Sequence, residues 1–307
     1  MRDLTIPAVR GYLRYAPTPL GKRALWSVVM RHFLGLEPPE WDFTVSTVFG
    51  SKVTANTRDT ICKYIYYFGV WEPNLTHWIR HRLSPGDVFI DVGANIGYFT
   101  LLASRLVGDS GKVIAVEALP AIFASLENNL KINGARNVRV VNCAAWDAEE
   151  MITIYTQPEN LPGQTTVMPA WASKWHLENE SQIPAAPLSA ILKPEEFRSA
   201  RLIKIDVEGA EWHALCGMRR LMSTCRDDLE VMIEVDAKML EAEGRTSQDV
   251  LNFFGRYGFH SYRIENDYSA NSYLGKNHAR RPSRVRGAPI TSDQTDFIFS
   301  RIDADSL

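Results

Sequence analysis

Between residues 85 and 142, short apolar runs alternate with stretches whose apolar residues recur at helical spacing. After Pro85-Gly86, the run Val88-Phe89-Ile90 is too apolar for a half-exposed strand and predicts a buried parallel one. Tyr98, Leu101, Leu102 and Leu106 then mark a helix that stops at Gly108. Lys112 to Glu117 reads as a second buried strand. Ile122, Phe123, Leu126 and Leu130 read as a second helix closed by Asn133-Gly134, and Asn137 to Asn142 as a third strand. This alternation predicts an α/β fold, a doubly wound and mostly parallel Rossmann-like sheet with its ligand at the carboxyl ends of the strands.

The rhythm returns in the second half. "RLIKID" and "LEVMIEV" predict strands around a helical stretch from Trp212 to Met222, and a further helix is expected near Gln248 to Tyr257. "FHSYRI" and "DFIFSR" close the pattern; with no obvious helix between them, they are expected to be antiparallel. Residues 61–307 are therefore expected to form one domain behind an N-terminal extension, residues 1–60. Two stretches break the alternation. Residues 157–190, proline-rich and carrying Trp171, Trp175 and His176, read as a lid insertion, and residues 266–290, with Arg280, Arg281, Arg284 and Arg286, as a basic loop.

In the N-terminal extension, Leu25, Trp26, Val28, Val29, Phe33 and Leu34 are interleaved with basic residues. Such a helix packs on its own domain or rests on an anionic surface. Arginines and prolines interrupt the first 36 residues, so neither a signal peptide nor a membrane span is expected. The chain reads as cytoplasmic, with peripheral membrane contact left open. A net charge of −2 over 307 residues supplies no global attraction to nucleic acid, and none is expected as a partner. The four cysteines lack C-x-x-C pairing and read as reduced thiols.

The chemistry begins at "DVGANIGYF", where two glycines are separated by Ala94-Asn95-Ile96. A dinucleotide fingerprint needs glycine at its second position so that the backbone can approach a pyrophosphate, and here Asn95 stands there. A ligand with an amine and a sugar but no pyrophosphate suits the turn better. Asp91 is placed to hold a cation, and Glu117, ending the next strand, to grip ribose hydroxyls.

"FIDVGANIGYFTLLAS", "GKVIAVEALP", "LENNLKINGARNVRVVNCAAWD" and "LIKIDVEGAEWHAL" together resemble the FkbM-type methyltransferases, which use S-adenosylmethionine. The likeness runs over about residues 60 to 235 and includes "YYFGVWEPNLTHWIRHRLSPGD". The resemblance implies that Gly93, Asn95 and Gly97 frame the methionine part, with Ala94 and Tyr98 in the same turn. It also implies that Glu117 takes the ribose hydroxyls, that Asn142, Cys143 and Ala144 lie near adenine, and that Glu72 reaches the cofactor. "EALP" departs from the family's usual Glu-Pro-Asn-Pro, a difference that falls on the adenine contact at Ala118.

"KIDVEGAE" and "MIEVD" bring Asp206, Glu208, Glu234 and Asp236 to the ends of neighbouring strands. Three readings stay open for these acids. One is a general base, with Asp206 preferred and Glu208 and His213 behind it. Another is a buried ion pair of Lys204 with Asp206 or Glu234. The third is a Mg²⁺-type site, which is not part of the expected cofactor set. Asp206 is also a candidate for the cofactor's ammonium group. Enzymes that methylate amines commonly carry an N-P-P-Y loop here, and this chain has Asp206-Val207-Glu208-Gly209 instead, so O-methylation is preferred. By the resemblance, the acceptor is a hydroxyl on a sugar, glycolipid or polyketide-type molecule. Trp171, Trp175, Thr165, Thr166 and His176 are expected to meet it or to anchor the lid. The rival functions are an RNA methyltransferase and a non-catalytic S-adenosylmethionine-binding protein.

Overall fold

The computed structural model describes residues 2–16, 20–33, 42–56, 60–157, 165–266, 271–274, 280–287 and 294–307. The chain opens with α1 (Arg2–Tyr15), α2 (Lys22–Phe33), a hairpin of β1 (Asp42–Ser46) and β2 (Lys52–Asn56), then α3 (Thr60–Phe68) and α4 (Pro73–Arg82). The alternating half follows as β3 (Val88–Val92), α5 (Tyr98–Val107), β4 (Lys112–Glu117), α6 (Pro120–Asn133) and β5 (Val138–Asn142). Next come β6 (Ala144–Trp146), β7 (Glu150–Thr156), β8 (Thr165–Thr166), α7 (Pro169–Trp175), β9 (Asn179–Pro187), α8 (Leu188–Ile191) and α9 (Pro194–Arg198). The chain then forms β10 (Ala200–Ile205), α10 (Glu211–Met218), β11 (Glu230–Asp236), α11 (Ala237–Ala242), α12 (Ser247–Gly255), β12 (His260–Ile264), α13 (Asn271–Leu274), β13 (Ser283–Arg284) and β14 (Gln294–Ser300).

The central sheet has the order β13-β12-β14-β11-β10-β3-β4-β5. Its middle is parallel, and β14 runs antiparallel between β11 and β12. This is the mostly parallel Rossmann-like sheet with an antiparallel last strand that the apolar rhythm predicts. The direction of winding reverses between β3 and β10, which opens a crevice at their carboxyl ends.

Successive strand residues face opposite layers, as the pleat requires. Phe89, Val113, Leu202 and Met232 join one core, while Ile90, Ile114, Ile203 and Val231 join the other. α5 ends at Gly108, and α6 ends at Gly134, whose φ of 61° suits a left-handed cap.

Trp26 and Arg14 help to tie the N-terminal helices down on α3. Trp26 packs edge-on against Tyr64 and Tyr67. The Arg14 guanidinium donates to the carbonyls of Ile65, Tyr66 and Tyr67 near the end of α3, and to that of Ser46. Tyr15, Leu20 and Val28 stay exposed. No helix among the described residues is long and apolar enough to cross a membrane.

Two stretches acquire structure that the apolar pattern did not indicate. The region read as a lid contributes β8 and β9 to a second sheet of order β6-β9-β7-β8, with α7 between those two strands in the chain, while residues 158–164 lie outside the described residues. Of the basic loop, Arg284 donates to the Tyr262 hydroxyl and faces Asp303, and Arg286 faces Asp305, so the chain's own carboxylates meet both cations. Residues 267–270, 275–279 and 288–293 are outside the described set.

Under the sheet, the buried Glu196 carboxylate is held by Arg139, by Lys112 at 2.8 Å and by the Lys193 N–H. Burial pushes its pKa up, but these donors prevail and bring it from the ordinary 4.5 to about 2. A depressed carboxylate pKa contributes stability above the unfolded value that is lost as pH falls through the folded one. Acid unfolding of the wild type should therefore steepen between about pH 4.5 and pH 2. Glu196→Gln should flatten that dependence and lower stability at neutral pH, both read by urea titrations across the range.

Candidate functional site

The crevice holds a cavity of about 550 Å³. Its near wall is the turn from Gly93 to Tyr98. Gly93 has φ 79°, and a Cβ there would fall 1.7 Å from the carbonyl oxygen of Asp206, so only glycine lets the two strand ends cross. Gly97 opens α5 at φ 90°, where a Cβ would meet Leu126 Cδ1 at 2.6 Å. Gly93, Ala94, Asn95 and Tyr98 reach the cavity, and Gly97 supports the turn from behind.

Glu117 sits on the side wall. Its Oε2 accepts from Asn95 N at 2.9 Å and its Oε1 from Leu119 N at 3.0 Å, which fixes the carboxylate and leaves a lone pair on each oxygen for a diol. Ala118, Leu119, Ile122, Cys143 and Ala144 form a mainly apolar slot beside it. Asn142 is absent from that wall; its amide donates to the carbonyls of Glu117 and Ala118 at 2.8 and 2.9 Å and so holds the strand end. Glu72, buried with φ 42°, closes the opposite side together with Ile61 and Trp71.

Asp91 departs from its expected role on the cavity wall. It is 1% exposed and lies behind the wall, where its Oδ2 accepts from the Thr100 hydroxyl at 2.6 Å. Its neighbour across the ladder is Lys204. Burial raises its pKa, and the Lys204 charge pulls the other way.

The far end of the cavity is acidic. Lys204 Nζ, 5.3 Å above the Phe99 ring centroid, pairs with Asp206 Oδ2 at 2.8 Å. Burial pushes the Asp206 carboxyl up, but the Lys204 ammonium holds it below its ordinary value. Glu234 is raised well above its ordinary value, by burial and then by the Asp206 charge, and it shares a hydrogen bond with Asp206. Glu208 also lines this end, as do Thr165, Gln157 and Gln294. Among the described residues, no three His, Cys, Asp or Glu side chains are arranged to hold a metal ion.

His213 does not join this cluster. It stacks on Trp146 with centroids 3.6 Å apart and lies 3.2 Å from Asp147 and 3.3 Å from Glu243, because α10 turns it toward β6. Trp171 and Trp175 contact each other on α7, with Lys174 Nζ 3.8 Å over Trp171. Neither they nor His176 reach the cavity, and Thr166 is buried beneath Thr165. Sequence reasoning missed Asn129, whose amide donates to Ile96 O at 2.9 Å and whose Oδ1 accepts from Thr54 N at 2.8 Å. It thereby links the N-terminal hairpin to the glycine turn. Its only sequence signal was a polar residue inside an apolar helix face.

A cleft with a diol-ready carboxylate, an apolar slot and a tight glycine turn fits an adenosyl ligand. The sequence model of the methyltransferase FkbM domain matches residues 91–261. Methyltransferase 1 of Beauveria bassiana (strain ARSEF 2860) is 30% identical over 152 residues, covering 44% of this chain and 59% of that protein. Methyltransferase sdnD of Sordaria araneosa is 29% identical over 163 residues, covering 45% and 62%. The chain thus spans about three fifths of the length of these relatives. A solved methyltransferase FkbM from Methylobacillus flagellatus KT is 18% identical, with 96% of this chain and 58% of that one covered at a TM-score of 0.45.

Gly93→Ala should be among the most damaging single substitutions at this site. The added methyl meets backbone that cannot rotate away, and φ 79° is unfavourable for alanine. A lowered melting temperature together with lost S-adenosylhomocysteine binding, read by calorimetry, is the expected outcome.

Proposed function

Because the chain belongs to the FkbM family of S-adenosylmethionine-dependent methyltransferases, we propose that it methylates a hydroxyl oxygen on a sugar, glycolipid or polyketide-type small molecule. The observation that carries this reading is the acidic end of the cavity, where Asp206, Glu208 and Glu234 stand beyond the cofactor-shaped part. Carboxylates suit removal of a hydroxyl proton. Thr165, Gln157 and Gln294 add neutral hydrogen-bonding groups that suit a polyol. The same acids disfavour a phosphate-rich acceptor such as RNA.

When bound, S-adenosylmethionine supplies a methyl carbon on a positively charged sulfur, open to in-line attack by an oxygen lone pair. The chain's own residues then have separable tasks. Glu117 holds the ribose, the slot around Leu119 and Ile122 excludes water from the adenine, and the backbone of Gly93 to Asn95 passes beside the methionine part. Lys204 keeps a fixed negative charge on Asp206 near the transfer point. Tyr15 and Val28 on the N-terminal helices and Leu20 in the turn before α2 are exposed, as is the basic Arg23, and suit contact with an anionic lipid surface in the case of a glycolipid acceptor.

S-adenosylhomocysteine at about 100 times its dissociation constant should stabilise the fold by roughly 2.7 kcal/mol, and NAD should not. A thermal-shift series in which only NAD stabilises would defeat the cofactor assignment. Incubation with methyl-labelled cofactor and separated glycan, lipid and RNA fractions should place label in methyl ethers of the first two. Label confined to RNA would defeat the acceptor assignment.

A further inference from the structure

The turn from Asp206 to Glu211 treats its acids unequally. Glu208 sits in the left-handed region at φ 52°, a strained conformation for a residue with a Cβ and one that persists only where surrounding structure enforces it. That enforcement is local. The Glu211 carboxylate accepts from Val207 N at 3.2 Å and from Gly209 N at 3.2 and 3.1 Å, which pegs the turn from below. Gly209 follows at φ 98°, where a Cβ would lie 2.9 Å from Met239 Sδ and 3.3 Å from Met168 Sδ, so the turn is also clamped from outside.

The neighbouring carboxylates are committed to other partners. Asp206 is paired with Lys204, Glu234 is bonded to Asp206 and accepts from the Gln294 amide, and Glu211 holds the turn. Asp206 and Glu234 line the cavity too, but the Glu208 side chain alone among these acids has no hydrogen-bond or ion-pair partner among the described residues.

We propose that Glu208, rather than Asp206, is the base that takes the proton from the acceptor hydroxyl, with Glu211 as a positioning residue that holds its turn. The proposal rests on the methyl-transfer reading of this cavity. The O–H bond breaks toward a Glu208 oxygen, and the electron pair left on the acceptor oxygen forms the new C–O bond. The pair of the broken C–S bond leaves with a neutral sulfur, and Glu208 returns its proton to solvent.

The electrostatics favour this assignment. Loss of hydration at the crowded end of the cavity and then the charges of Asp206, Glu211 and Asp236 raise the Glu208 carboxyl above its ordinary range, against the pull of Lys204, while solvent at the exposed side chain screens part of that rise; Glu234 faces it as well. A raised carboxyl is uncharged below its shifted pKa and becomes a stronger base once ionised above it. Any contact made by its charge should therefore strengthen as pH rises through a window above the ordinary carboxylate range.

Two cofactor analogues test this by titration calorimetry without an acceptor. S-adenosylhomocysteine has nothing where the methyl group sits, whereas sinefungin carries a primary ammonium there. In the wild type, the preference for sinefungin should grow with pH through that window. Glu208→Gln should abolish the growth and weaken sinefungin about tenfold or more, the usual worth of a hydrogen bond to a charged group, with S-adenosylhomocysteine nearly unaffected. Glu208→Asp, which keeps the charge in a residue tolerant of left-handed backbone, should retain part of the preference. Equal weakening of both analogues by Glu208→Gln would make Glu208 a cofactor ligand and overturn the proposal. Unchanged sinefungin binding, with the loss appearing in Asp206→Asn instead, would overturn it too. Failure of the wild type to bind either analogue would overturn the methyl-transfer reading itself.

Discussion

The site depends on how closely two strand ends approach each other. Gly93 N and Ala94 N both donate to Val116 O, while Asp206 N donates to Val92 O, so the glycine turn is drawn across the ends of β4 and β10 at once. With no side chain at Gly93, the backbone passes against Asp206. The same crossing puts Asn95 N within reach of Glu117 and sets the acids of β10 at the far end of one cavity. A wider crossing would separate the part that fits the cofactor from the part that carries the acids.

Charge is arranged around that crossing as one ammonium among several carboxylates. Lys204 is buried, and an unpaired ammonium there would be costly, so Asp206 at 2.8 Å is its structural counterpart. Once Asp206 is held negative, its neighbours cannot ionise freely. Burial and that charge bring Glu211 and Asp296 each to about 7 and raise Glu208 and Glu234. The ion pair thus sets the protonation of groups that Lys204 does not itself touch.

Backbone strain gathers at the same place. Of the four described non-glycine residues with positive φ, Glu72, Asn95 and Glu208 line the cavity, and His176 lies apart, capping the end of α7. Asn95 partly compensates by accepting from the Ile96 N–H through its own side chain at 2.7 Å. Strained conformations are kept where surrounding hydrogen bonds over-determine them, as the Glu211 carboxylate does for Glu208.

By itself the sequence determined the strand and helix succession, the glycine turn and the acids at the strand ends. Those features follow from local periodicity and from backbone requirements at single positions such as Gly93 and Gly134. The second sheet escaped notice because β7 and β9 pair across a proline-rich segment, and pairing across distance leaves no local period. Only the tertiary structure decided that Asp91 stays behind the wall, that His213 turns to Trp146, and that Trp171 and Trp175 do not reach the cavity. The reason is that a side chain's partner is set by strand register and by the face on which neighbouring elements land. Lys204 faces Asp91 through the pairing of β10 with β3, a relation between residues more than a hundred positions apart.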